Sequence, residues 1–285
     1  MIERILYEPD EKKDWGLEID NQYKAIFTRN IGLFTEEEQA KIKQSTVAIA
    51  GVGGVGGLAA ERMIRLGVGR LKITDSGDLE DSNLNRQYAA SMLNLGRNKA
   101  EVVYENIKDI NPHAEVIHSN SGIKSEKDAM LFVSDSDIII DVMDFGLFRE
   151  SILLQRAARE KGIHYLFSTA IGFGAITVVF DPDGITLEEY NKLPVDVDVN
   201  DPENLYVPME RIVPIIPKYV KNITIVEDVI AGRIPVPTTS IGAGLSAIQA
   251  VSEAINVIID RDFPKAPYFT YFDLVDRQMV VGSII

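Results

Sequence analysis

The 285-residue chain reads as an α/β protein, a Rossmann-like doubly wound, mostly parallel sheet with an antiparallel C-terminal extension. Three observations predict it. From residue 46 to residue 170 short apolar runs alternate with amphipathic ones, the β-α-β-α grammar of a parallel sheet covered on both faces. A glycine-rich turn, Gly51-Val-Gly-Gly-Val-Gly-Gly57, joins the first strand to a helix. After residue 174 the alternation stops, and the chain closes with a strand pair at 268–274 and 278–281.

Taken in order, residues 36–44 (EEEQAKIKQ) form an acidic-started helix that leads into a strand at 46–50 (TVAIA). The helix after the glycine turn runs over 58–66, with Ala60, Met63 and Ile64 on one face. A strand at 71–74 follows. Beyond a polar loop, a helix at 97–110 carries Ala100, Val103, Ile107 and Ile110 at helical spacing and ends at Asn111-Pro112. Strands at 115–118, 137–141 and 163–167 are separated by helical stretches near 126–132 and 147–161. A strand at 175–180 stops at the turn Asp181-Pro-Asp-Gly184. Eight of the 12 prolines then lie between Pro182 and Pro237, so 182–237 is expected to be an irregular crossover, the kind of segment that serves as a lid or binding loop. Ile241, Leu245, Ile248, Val251, Ile255 and Ile258 mark one long helix at 240–259. The expected organisation is one domain over 1–285: an N-terminal arm (1–45), a nucleotide-binding half (46–170) and a C-terminal half carrying the crossover.

Composition narrows the function. Hydrophobic residues at 46% and charged residues at 25% are ordinary globular values. No apolar run is expected to approach the roughly 18 residues of a membrane helix, and the acidic N-terminus lacks a signal-peptide core, so a cytoplasmic protein is expected. The net charge of −14 disfavours nucleic acid as the main partner. There is no cysteine, which excludes disulfides, thiolate zinc sites and a cysteine nucleophile in cis. His113, His118 and His164 show no metal-ligand spacing.

The chemistry concentrates around the glycine turn. Gly51, Gly53, Gly54 and Gly56 let the backbone approach a phosphate, which the N–H groups of the following helix would bind. Asp75, nineteen residues beyond Gly56 at the end of the second strand, stands where an acid binds ribose hydroxyls. That pair alone also fits a nicotinamide-dependent oxidoreductase. The following amide, guanidinium and ammonium series, Asn83, Arg86, Gln87 and Lys99, is more than hydride transfer needs and suits a triphosphate.

At this point the sequence resembles the ThiF/MoeB/HesA family of the ubiquitin-activating-enzyme superfamily. The residues concerned are Arg29-Asn30, the Gly51–Gly56 turn, Asp75, Ser82-Asn83-Leu84-x-Arg86-Gln87, Lys99 and Asp141-x-x-Asp144, with Pro237 and the 240–259 helix beyond them. The resemblance implies a Rossmann-like homodimer that uses ATP and Mg²⁺ to adenylate a carboxylate, giving acyl-AMP and pyrophosphate. It implies ribose binding by Asp75, phosphate binding by Asn83, Arg86 and Lys99, and Mg²⁺ binding by Asp144. Arg29 would reach the triphosphate from the neighbouring subunit, and Arg149 sits where the family often has a basic residue. The implied substrate is the C-terminus of a ubiquitin-like protein, a peptide or a small acid. Three departures stand out: the missing cysteines, which leave no zinc site and no thioester, Gly77 in place of a second acid, and Phe145 in place of an asparagine. The alternatives are the oxidoreductase and a non-catalytic nucleotide-binding partner subunit.

Overall fold

The computed structural model describes residues 21–221, 224–230, 233–234 and 236–285. Its centre is an eight-stranded sheet of order β3-β2-β1-β4-β5-β6-β7-β8. Strands β1 (Thr46–Ala50), β2 (Arg70–Thr74), β3 (Glu115–Ser119), β4 (Ile138–Asp141) and β5 (His164–Ile171) are parallel. Strands β6 (Gly174–Phe180), β7 (Tyr268–Asp273) and β8 (Gln278–Ser283) continue the sheet antiparallel, as the sequence predicts.

Every residue of β1 is buried, because helices cover both faces of the sheet. Alternation along the strand sends Val47 and Ile49 into one core and Ala48 and Ala50 into the other. The first core lies under α3 (Gly56–Leu66), α4 (Lys99–Ile110) and α10 (Ser240–Ile258), filled by Met63, Val103 and Ala250 among others. The second lies under α5 (Glu126–Val133) and α6 (Phe148–Glu160), around Phe132, Leu154 and Tyr165. Before β1 stand α1 (Asn21–Phe27) and α2 (Glu36–Gln44), the latter started by a Thr35–Glu38 capping box. Residues 1–20 of the expected N-terminal arm lie outside the described residues.

Three expectations change. Strand β5 runs on to Ile171 instead of ending at 167, because the hydroxyl of Ser168 is satisfied inside the fold, 2.7 Å from Thr177 Oγ1 and 2.8 Å from Ser246 Oγ. The crossover holds only short helices among its described residues, α7 (Leu187–Tyr190), α8 (Met209–Ile212) and α9 (Thr224–Ile230), yet Leu187, Tyr190, Leu193, Val197, Val199 and Val207 complete the second core. Helix α10, with 19 residues, is long and apolar enough to cross a membrane by length and composition, contrary to the expectation that no such run exists. Here it lies against β5 and β6, with Ser246, Ala247, Ala250 and Ala254 buried.

Candidate nucleotide site

Register builds the site. Ala50 pairs with Thr74 on one side and with Asp141 on the other, so β1, β2 and β4 end level. Gly51, Asp75 and the Val142–Asp144 loop therefore leave the sheet together. This is the carboxyl edge beside the β1/β4 switch point, where open α/β sheets bind ligands. Gly51 has φ +84°, and a side chain there would meet Val142 O at 2.8 Å. A Cβ on Gly56 would lie 1.8 Å from Gly51 O, so this glycine lets α3 start tight against the turn. Helix α3 has no side-chain cap at its N-terminus, so the positive end of its dipole is not met by a capping oxygen.

A cleft of about 580 Å³ opens over this edge. Gly51, Gly53, Gly54, Asp75, Arg86, Gln87, Lys99 and Asp144 line it. Asp75 accepts hydrogen bonds from Val52 N and Gly77 N, both at 2.8 Å, and so ties the end of β2 to the glycine turn. Burial pushes its carboxyl above the usual value, against the lowering pull of those two N–H groups and of Lys99. The negative charge of Asp144 adds to the upward shift. Lys99 opens α4, whose first turn is capped independently by Asn98. Arg86 Nη1 donates to Ser82 O at 3.0 Å and Asn85 Oδ1 at 2.9 Å. The buried Oε1 of Gln87 has no hydrogen-bond partner among the described residues, and a side chain on Gly53 would meet the Gln87 amide at 3.5 Å.

Not every expected residue reaches the cleft. Asn83 and Gly56 are buried but do not line it. The Asn83 side-chain Oδ1 instead accepts from Glu80 N at 3.0 Å and braces the turn ahead of Arg86. Arg29 is exposed in the turn after α1 and lies outside this chain's own cleft. Arg149 is already engaged, donating to Lys124 O and Asn200 Oδ1 and pairing with Glu150.

Other residues enter that sequence reasoning missed. Lys124 and Glu150 line the cleft, each a solitary charge with no motif around it. Asn85 links Arg86 to the stretch between the crossover and α10, donating to Thr238 O at 3.1 Å while accepting from Arg86 Nη1. Asp141, named in the Asp141-x-x-Asp144 pattern but given no role there, is buried; its Oδ2 receives the Tyr165 hydroxyl at 2.5 Å and its Oδ1 receives Met143 N at 3.0 Å, so it fixes the loop that carries Asp144. Burial raises the Asp141 carboxyl pKa.

The donor set fits a magnesium ion bound together with phosphates. Among the described residues no three His, Cys, Asp or Glu side chains gather as a protein-only metal site. Mg²⁺ with a nucleotide, however, needs only one or two carboxylates besides phosphate and water. Asp144 is exposed at the cleft and no side chain caps the helix that follows it, so its carboxylate is not consumed as a helix cap.

A glycine-rich turn, the aspartate that follows β2 and a cleft lined by both basic and acidic side chains stand together at the switch point of a Rossmann-like fold, the arrangement of a nucleotide-binding protein. Comparison with known proteins makes this specific: residues 27–282 match the model of the ThiF family, and the chain belongs to that family. It is 39% identical over 134 residues to the tRNA threonylcarbamoyladenosine dehydratase of Bacillus subtilis, covering 47% of this chain and 53% of that one. It is 30% identical over 146 residues to the sulfur carrier protein ThiS adenylyltransferase of the same organism, covering 50% of this chain and 43% of the relative. The chain thus spans about half the length of these curated relatives. In fold it is similar to PaaA (TM-score 0.69, 17% identity, 96% of this chain and 77% of that one). It is equally similar to Escherichia coli MccB crystallised with ATP (TM-score 0.69, 17% identity, 93% and 72%).

Proposed function

We propose that the protein uses ATP and Mg²⁺ to adenylate a carboxylate, releasing pyrophosphate and leaving acyl-AMP without a covalent acyl-enzyme. One observation carries the reading: Lys99, Arg86 and the unconsumed carboxylate of Asp144 line one cleft over the glycine turn. Hydride transfer needs no such set. Names among the family relatives, such as ThiS adenylyltransferase, support it.

The chemistry follows from charge. The attacking carboxylate and the triphosphate repel each other, so the cleft must neutralise and align them. Asp75 would hold the ribose, and the α3 N-terminus, Lys99 and Arg86 would hold the phosphates. Asp144 would hold Mg²⁺, which when bound neutralises phosphate charge. A carboxylate oxygen then bonds to the α-phosphorus as the bond to the bridging β-oxygen breaks, and that electron pair leaves with pyrophosphate. With no cysteine in the chain, the activated acyl group stays on AMP until an outside nucleophile takes it.

The acyl substrate is a peptide or protein C-terminus or a small acid. Net charge of −14 disfavours a tRNA-borne carboxylate, although several relatives are named for tRNA. The working form is a homodimer in which Arg29, outside its own cleft, completes the partner's. Substrate-dependent exchange of labelled pyrophosphate into ATP, run against glycine-tailed proteins, peptides and small acids, tests the proposal. Acid-dependent exchange supports it; stabilisation by NAD and not by ATP would return the oxidoreductase reading.

A further inference from the structure

The crossover reaches the nucleotide cleft at one described place. Val236 and Thr238 line the cleft just before α10 begins. There the chain is held from two sides. On one side Thr238 bridges to Gly172 in the β5–β6 turn, and Thr239 Oγ1 donates to Gly172 O at 3.3 Å while capping α10 by accepting from Gly242 N. On the other, Asn85 Nδ2 donates to Thr238 O at 3.1 Å.

Asn85 faces both ways. While its amide nitrogen holds the crossover, its Oδ1 accepts from Arg86 Nη1 at 2.9 Å. Arg86 in turn lies over the glycine turn, where a side chain on Gly54 would meet its Cγ at 3.3 Å. The Gly172 turn is itself pinned by an earlier part of the same crossover. Tyr219 OH accepts from Phe173 N at 2.7 Å and donates to the buried Asp273 Oδ2 at 2.8 Å. The Tyr219 ring packs edge-on against Phe173 at 5.3 Å between centroids. Tyr219 of the crossover and Thr238, just past its end, thus meet at one β-turn, and one amide joins that junction to Arg86 beside the glycine turn.

We infer that Asn85 is a positioning residue that couples the crossover to Arg86, so that nucleotide phosphate held by Arg86 also orders the Val236–Gly242 stretch. This rests on the nucleotide reading given above. Asn85 touches no reacting atom. It fixes the guanidinium that does, and it makes the position of the cleft's roof depend on that guanidinium. Tyr219 serves the same coupling from the far side by holding the turn against which Thr238 is bridged. An acyl group bound under Val236 and Thr238 would by the same link favour the phosphate-gripping position of Arg86.

Hydrogen exchange with a non-hydrolysable ATP analogue and Mg²⁺ tests this without the acyl substrate. In the wild type the analogue should slow exchange both at the glycine turn and across 236–242, the latter by about fivefold, the ratio one ordinary hydrogen bond contributes. Asn85→Asp keeps the acceptor for Arg86 but has no donor for Thr238 O, and Tyr219→Phe removes the hydroxyl that pins the turn. Both variants should keep protection at the glycine turn, which also reports that they are folded, and lose it at 236–242. Protection at 236–242 retained in Asn85→Asp, or missing in a wild type protected at the glycine turn, would overturn the coupling. So would loss at both places in Asn85→Asp, which would put Asn85 in the nucleotide site itself. A wild type unprotected at the glycine turn would overturn the nucleotide reading, and the coupling with it.

Discussion

Removing the Lys99 side chain separates binding from folding. Lys99 is the first residue of α4, but it does not start the helix: Asn98 Oδ1 accepts from Ala100 N at 2.9 Å and from Glu101 N at 3.3 Å, and would do so around an alanine. Its backbone N–H donates to Gly77 O at 2.9 Å, a bond that an alanine keeps, and its side chain is only partly buried and faces the cleft. The folded chain therefore loses little in Lys99→Ala, within the ~0.5 kcal/mol typical of surface positions. The nucleotide complex loses a charge-assisted contact to phosphate, about 1.5–3 kcal/mol, which is roughly 10- to 150-fold in Kd. Calorimetric titration of the variant with Mg-ATP and with adenosine reads this directly. ATP should weaken by that factor while adenosine is unchanged. An ATP affinity within about twofold of the wild type would refute the phosphate role, since that is under 0.5 kcal/mol.

Further outcomes follow from burial and placement. Lys72, buried in β2, has its pKa pulled down to about 8 by desolvation, below its ordinary 10.5. A group depressed on folding makes the fold gain stability as pH rises between those values. Urea unfolding should therefore show wild type gaining about 2–3 kcal/mol over Lys72→Met between pH 8 and 10.5, and a flat difference would contradict the desolvation. Asp141 has the opposite sign: its pKa is raised by burial, so its contribution is lost as pH rises from its ordinary 3.8 through the folded value. Asp141→Asn should accordingly gain in Tm relative to wild type from acid to neutral pH, and a constant difference would count against it. Mixing inactive Arg29→Ala with inactive Asp144→Ala should restore part of the exchange activity if Arg29 completes the partner's cleft; no recovery despite confirmed subunit exchange would exclude a shared site.

Much of the parallel half is legible because its signals are local and mutually consistent. TVAIA, the glycine turn and the Met63 face each follow from spacing, and Asp75 falls where the second strand must end. The misses have physical causes. Ser168 and Thr169 look like loop residues, and only the Thr177 and Ser246 hydroxyls, distant in sequence, let β5 continue past them. Prolines made the crossover read as irregular, while the alternation Val197, Val199 within it marks residues that enter the core. In the site, the asparagine of the Ser82-Asn83 pair carried the resemblance, yet Asn83 braces the turn and Asn85 makes the tertiary contact. That difference depends on where Thr238 lies, which no spacing within the motif encodes. Lys124 reaches the cleft for the same reason, through the path of the loop after β3.

The central claim is that a carboxylate attacks the α-phosphorus of ATP, and oxygen transfer measures that event itself. Once exchange has identified an acid, its carboxylate is labelled with heavy oxygen and the AMP formed in a single turnover is weighed by mass spectrometry. Attack at the α-phosphorus predicts AMP carrying one heavy oxygen from the acid, with pyrophosphate unlabelled and no mass added to the protein. Unlabelled AMP, ADP as the product, or an acyl group on the enzyme would contradict it.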